Sequence, residues 1–175
     1  KQPFVSTYYE LVNTDPTYDK WERHGQHVQI QVGGELVHIF HYHNTYDPDD
    51  GTDTNSSEYA GMEKFRDFIL DRINAQALSE RGRIVALGDF NINGTMVDTL
   101  MPDLIDKQSD WVDHVVAMFD FENSGVYSTG GAGAGLSDHD AVWASFDLEP
   151  PAPDAMTWAS QPASTNTGTI TMAAT

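Results

Sequence analysis

The chain predicts a mixed α/β (α+β) fold, and three observations carry that expectation. Two strand-patterned runs flank a Gly-Gly turn, one helical run follows, and β-branched runs then return, each closing on polar residues. With 175 residues, 39% of them apolar, one domain can bury a sizeable core. No stretch approaches the ~18 apolar residues of a membrane-crossing helix, so no transmembrane segment is expected. The absence of cysteine removes any disulfide framework and any thiolate nucleophile or ligand. A net charge of -18, with nine Lys and Arg, repels polyanions unless a cation intervenes. That disfavours a protein that coats DNA and suits an extracellular or secreted one. The chain opens at Lys1 without a charged segment followed by an apolar one, so the expected signal segment lies outside it.

The elements follow in order. QHVQIQV, residues 26–32, alternates with strand period, Gly33-Gly34 supplies a tight turn, and ELVHIFHYH is a second, more buried strand. The polar loop NTYDPDDGTDTNSS leads to a helix expected from about Ser57, with Asn55 and Glu58 spaced as a capping box. Met62, Phe65, Ile69 and Ile73 recur at helical spacing, and Gly82 closes the segment. RIVALGDF, WVDHVVAMFDF and AVWASFDL read as three further strands, the last after the glycine-rich loop TGGAGAGLSDHD. Residues 150–155, PPAPDA, form a linker by composition, and 156–175 read as the start of a truncated β-sandwich-like module.

Polar clusters punctuate the strand ends: His43, Asp89 with Asn91 in GDFN, Asp113 in WVDHVV, and Asp138-His139 in the SDH before the last strand. Singly, each fits a bland role, such as an Asp capping a turn or a histidine satisfied in a core. In this order and spacing, over roughly residues 20–148, they resemble the endonuclease/exonuclease/phosphatase superfamily. The resemblance implies a four-layer α/β sandwich of the DNase I-like type, with the active site where strand ends converge. Residues 1–149 would be the C-terminal half of such a domain, incomplete at the N-terminal side. The family's early metal-binding glutamate and its companion asparagine have no counterpart here, since Glu10 and Asn13 stand in the wrong context.

The resemblance also implies roles. Asp89 orients the attacking water, Asn91 hydrogen-bonds the scissile phosphate, and His43 sits beside that phosphate. His139 contacts the phosphate or moves a proton, Asp113 orients His139, and Asp138 is the metal ligand. Strand alternation would set Asp89 and Asn91 on one face. In-line displacement at phosphorus rests on positioning and charge neutralisation, which a hard cation bound by oxygen ligands supplies: Mg²⁺, or Mn²⁺ or Ca²⁺. The implied substrates are phosphate esters, from nucleic acid to phospholipid headgroups, and the implied partner is the N-terminal half of the same domain. The alternatives are a phosphomonoesterase acting on inositol or sugar phosphates, or a non-catalytic binding module on the same scaffold. Two further metal sites come into question. HIFHYHN carries three histidines, which raises a zinc site. The loop from Asp47 to Glu58 alternates acidic residues like a calcium loop, but Thr52 stands where glycine is expected.

Overall fold

The structure is a computed structural model that describes residues 4–13, 22–46, 54–74, 82–104, 106–128 and 139–146. Asp138, most of the Asp47–Glu58 loop, the glycine-rich loop, the linker and the 156–175 segment lie outside the described residues.

The Gly-Gly hairpin is present. Strand β2 (Arg23–Val32) turns into β3 (Glu35–His41), antiparallel, with Val32 opposite Glu35. Gly33 and Gly34 take φ of 61° and 93°, which a two-residue hairpin turn requires and a side chain would resist. Sequence reading left the first twenty residues unassigned. The structure lays Phe4–Asn13 beside β2 as strand β1.

Helix α1 (Ser57–Asn74) starts where expected, but its cap is different. Ser56, directly before the first helical residue, is the N-cap, and its Oγ accepts the Tyr59 amide at 3.1 Å. The helix is the crossover between β3 and the parallel strand β4 (Arg83–Asp89). Gly82, read as a helix stop, allows a close approach instead. A Cβ there would lie 1.6 Å from the Leu36 carbonyl oxygen.

A short helix α2 (Gly94–Leu100) follows, capped by Asn93, whose Oδ1 accepts the Met96 amide at 3.1 Å. Strands β5 (Asp106–Asp110) and β6 (Asp113–Ala117) then form a hairpin. Of the run read as one strand, WVDHVVAMFDF, the first two residues are the hairpin turn and Met118–Phe121 follow the strand's end.

These strands build one sheet in the order β1-β2-β3-β4-β6-β5, and β7 (Asn123–Tyr127) pairs with β8 (Ala141–Ser145) in a second. The two faces of the large sheet differ. On one, Phe40, Tyr42, Ala86 and Val116 pack with Met62, Phe65 and Phe68 of α1 and with Val97 and Leu100 of α2. On the other, Val37, Val85 and Ala117 are ringed by half-buried Ile30, Ile39, Leu87 and Val115, together with Phe119, Phe121 and Phe146. The phenylalanines flank β7 and β8, so the small sheet packs on this second face. Among the described residues, the layers are helices, large sheet and small sheet, in keeping with a DNase I-like sandwich.

Candidate functional site

Strands β3, β4 and β6 end side by side, and the polar residues that close them meet there. Asp89 pairs directly across from Asp113 in the β4–β6 ladder. The β3–β4 pairing runs on past the strand end, with the Tyr42 amide donating to Leu87 O at 3.2 Å and the Asn44 amide to Asp89 O at 2.9 Å. Gly88 makes this possible. Its φ is 143°, and a Cβ would lie 1.9 Å from the Tyr42 carbonyl oxygen.

The side chains then assemble. His139, entering β8, donates from Nδ1 to Asp113 Oδ2 at 2.7 Å. The same nitrogen is 3.8 Å from Asp89 Oδ2, and His43 Nε2 approaches that oxygen at 3.5 Å from the other side. One carboxylate oxygen therefore lies between two imidazoles. The other, Asp89 Oδ1, accepts the Asn91 amide at 3.0 Å, an Asx-type turn that fixes the carboxylate plane. Burial pushes the Asp113 carboxyl above its ordinary range, opposed by the hydrogen bond from His139. The bond to Asp113 fixes the tautomer of His139, with the proton on Nδ1.

Of the expected site residues, His43, Asp89, Asp113 and His139 come together. Asn91 adjoins them, by a different route from the one anticipated. Strand β4 stops at Asp89, so alternation does not extend to Asn91, whose φ is 50°. Its side chain is buried, and Nδ2 donates to the Asn44 carbonyl at 3.2 Å. Asp138 lies outside the described residues.

Asp89, Asp113 and His139 can each offer a ligand atom within 4.8 Å of the others. Two carboxylates with room for water suit a hard cation such as Mg²⁺. The three histidines of HIFHYHN do not gather. His38 is in the core, where its Nδ1 meets His27 Nε2 at 2.9 Å, whereas His43 faces Asp89. His41 lies on the second sheet face, its pKa lowered by burial and then by His43. With Leu87, Asp89, Asp113, Val115 and His139 it lines an open hollow of about 320 Å³. His114, adjacent to Asp113, is structural. Its Nε2 donates to Ile92 O at 2.8 Å and its Nδ1 accepts from Ser109 Oγ at 2.8 Å.

Sequence reading passed over Asn44. Its one signal was position, directly after His43 and before a polar loop.

No protein-family model matches the chain, and no curated protein matches it in sequence. Solved structures do. Humanized D. rerio TDP2 superposes with a TM-score of 0.59 at 14% identity, covering 84% of this chain and 66% of that one. D. rerio TDP2 complexed with a single-strand DNA product gives 0.54 at 11%, covering 84% and 69%. The mannosyl-6-phosphatase of Bacteroides thetaiotaomicron gives 0.51 at 9%, covering 73% and 60%. The chain thus has the DNase I-like fold. It spans about two thirds of the length of these proteins.

Proposed function

We propose that the chain carries the catalytic strand ends of a metal-dependent phosphoric ester hydrolase. The observation behind this reading is the Asp113–His139 pair set against Asp89 at the mouth of the sheet. A carboxylate behind an imidazole holds the ring in one tautomer and stabilises its charged form. His139 Nε2 can then contact a phosphate oxygen or move a proton, while Asp89 Oδ2 accepts a hydrogen bond from the attacking water. His43 flanks the same oxygen and would meet the phosphate from the opposite side. Asn91 can offer its second amide proton to the phosphate, the first being held by Asn44. Asp89 and Asp113, with Asp138, would hold a divalent cation, which supplies neutralisation of the charge that develops on phosphorus oxygens.

The substrate class is proposed as phosphodiesters, of nucleic acid or a phospholipid headgroup, with inositol or sugar phosphomonoesters as the alternative. The charge of -18 supports action on short or cation-screened substrates in an extracellular setting. We place a second set of strands, from the N-terminal half of the domain, over the half-buried face that continues into the hollow. The partial coverage of the similar structures and the exposure of Ile39, Leu87 and Val115 support that placement.

The test is hydrolysis of DNA, RNA, sphingomyelin, phosphomonoesters and simple phosphodiesters with Mg²⁺ and with EDTA. It is run on the 175-residue chain and on the chain supplemented with an N-terminal half. Turnover should vanish on chelation, and Asp89→Asn, Asp113→Asn and His139→Ala should each lower it by about 10²–10⁴-fold. Undiminished turnover in EDTA, or in either the Asp89 or the His139 variant, would overturn the reading.

A further inference from the structure

We propose that Asn44, which lies outside the proposed catalytic set, is the positioning residue that holds His43, Asp89 and Asn91 in one arrangement. The inference deepens the hydrolase reading and rests on it. Asn44 is completely buried. Its Nδ2 donates both protons, to Glu58 O at 2.8 Å and to Phe90 O at 2.9 Å. Its Oδ1 accepts the Thr45 amide at 2.9 Å. Its main-chain amide donates to Asp89 O at 2.9 Å, and its carbonyl accepts Asn91 Nδ2 at 3.2 Å.

One residue therefore ties the exit of β3 to the first turn of α1 and to three consecutive residues at the end of β4, Asp89 to Asn91. Two of those three, Asp89 and Asn91, belong to the site, and the residue before Asn44 is His43. A buried asparagine elsewhere in the sheet would add stability alone. Here the three bonds to Asp89, Phe90 and Asn91 fix the spacing between strand ends that carry the reacting groups, and displacements near 1 Å cost about 10²-fold in rate. The side chain is also hard to replace. Serine has one proton and too short a reach for two carbonyls, while aspartate has no proton and would set a charge against both oxygens.

Asn44→Ser and Asn44→Asp are made in the full chain, with urea unfolding to define the folded fraction and all readings taken far below the midpoint. Mn²⁺ is titrated while the histidine ring resonances are followed by NMR. In wild type the His43 and His139 rings should broaden first. In Asn44→Ser they should need about 10–100-fold more Mn²⁺, the usual loss when a supporting hydrogen-bond partner is removed. Turnover of a simple phosphodiester should lose kcat with KM little changed, and Asn44→Asp should be the worse variant. A variant that unfolds earlier yet keeps wild-type Mn²⁺ response and kcat overturns the proposal, leaving Asn44 a stabilising residue. If wild type, supplemented with an N-terminal half, hydrolyses no phosphate ester but the Mn²⁺ response still shifts in Asn44→Ser, the positioning role stands and the hydrolase reading falls. Should both variants fail to fold, amide exchange in wild type decides. The Asn44 amide should exchange only through global unfolding, and loop-like exchange would show that no rigid clamp exists.

Discussion

The two faces of the six-stranded sheet are made by alternate residues of the same strands, yet they are finished to different degrees. Towards the helices, Phe40, Tyr42, Ala86 and Val116 are completely buried. Towards the other side, their chain neighbours Ile39, Leu87 and Val115 are left half-buried. Period-two alternation guarantees that a strand has two faces, but the cover over each is decided elsewhere in the chain. Here one cover is the pair of helices α1 and α2, whose own sequences supply the apolar residues. The other, among the described residues, is a two-stranded sheet that reaches the β5–β6 side. The proposed active site opens on this second face, where the hollow is lined by Leu87 and Val115 as well as by Asp89, Asp113 and His139.

The contrast can be broken most directly by cavity formation. Phe65→Ala, on the helix side, should cost about 3–5 kcal/mol in urea unfolding. Ile39→Ala, on the other, should cost about 1–2 kcal/mol, since much of its side chain stays wet when folded. Equal losses would show that the second face is as well covered as the first. Acid is the next lever, and it acts on the helix side. Burial, then His38 and the Arg72 cation, push the pKa of His27 down from 6.5 to about 4. Between those values the unfolded chain binds the extra proton, so stability is full above pH 6.5 and drains away as pH falls towards 4. Urea midpoints at pH 7 and pH 4.5 measure this, and His27→Gln should flatten the dependence. A variant as acid-sensitive as wild type would move the cause to other groups. The smallest effect is at the rim of the covered face, where Ser56→Ala should remove about 1 kcal/mol by uncapping α1. An unchanged midpoint there would return the cap to Asn55.

Much of this was legible in the sequence where one residue type serves one purpose. Gly33-Gly34 marked the β2–β3 turn because left-handed backbone admits few other residues, and the Met62–Phe65–Ile69 spacing marked α1. The Asp113–His139 contact followed from the family resemblance. What escaped had weak or shared signals. FVSTYYELVN pairs along β2 without a turn residue to announce it, so β1 shows itself only once its partner is placed. β5, DKQSD, is wholly polar and is a strand because β6 lies next to it. Gly82 and Gly88 looked like a stop and a motif letter, while their role is to let a neighbouring carbonyl oxygen come close. Asn44 has no pattern of its own, since four of its five bonds go to atoms that the fold brings together.

The shortest polar contact of the site also crosses a structural seam. Asp113 belongs to the large sheet, and His139 enters the small one, which consists of β7 and β8. Two strands are a weak cooperative unit, so the pair can open while the helix-backed sheet stays shut. In hydrogen-exchange terms, the amides of β8 should form a low-free-energy foldon and those of β4 and β6 a high one. Chemistry in this protein would then have its own melting point, below that of the fold. A preparation could lose its dyad, and regain it on cooling, with its far-ultraviolet spectrum barely altered.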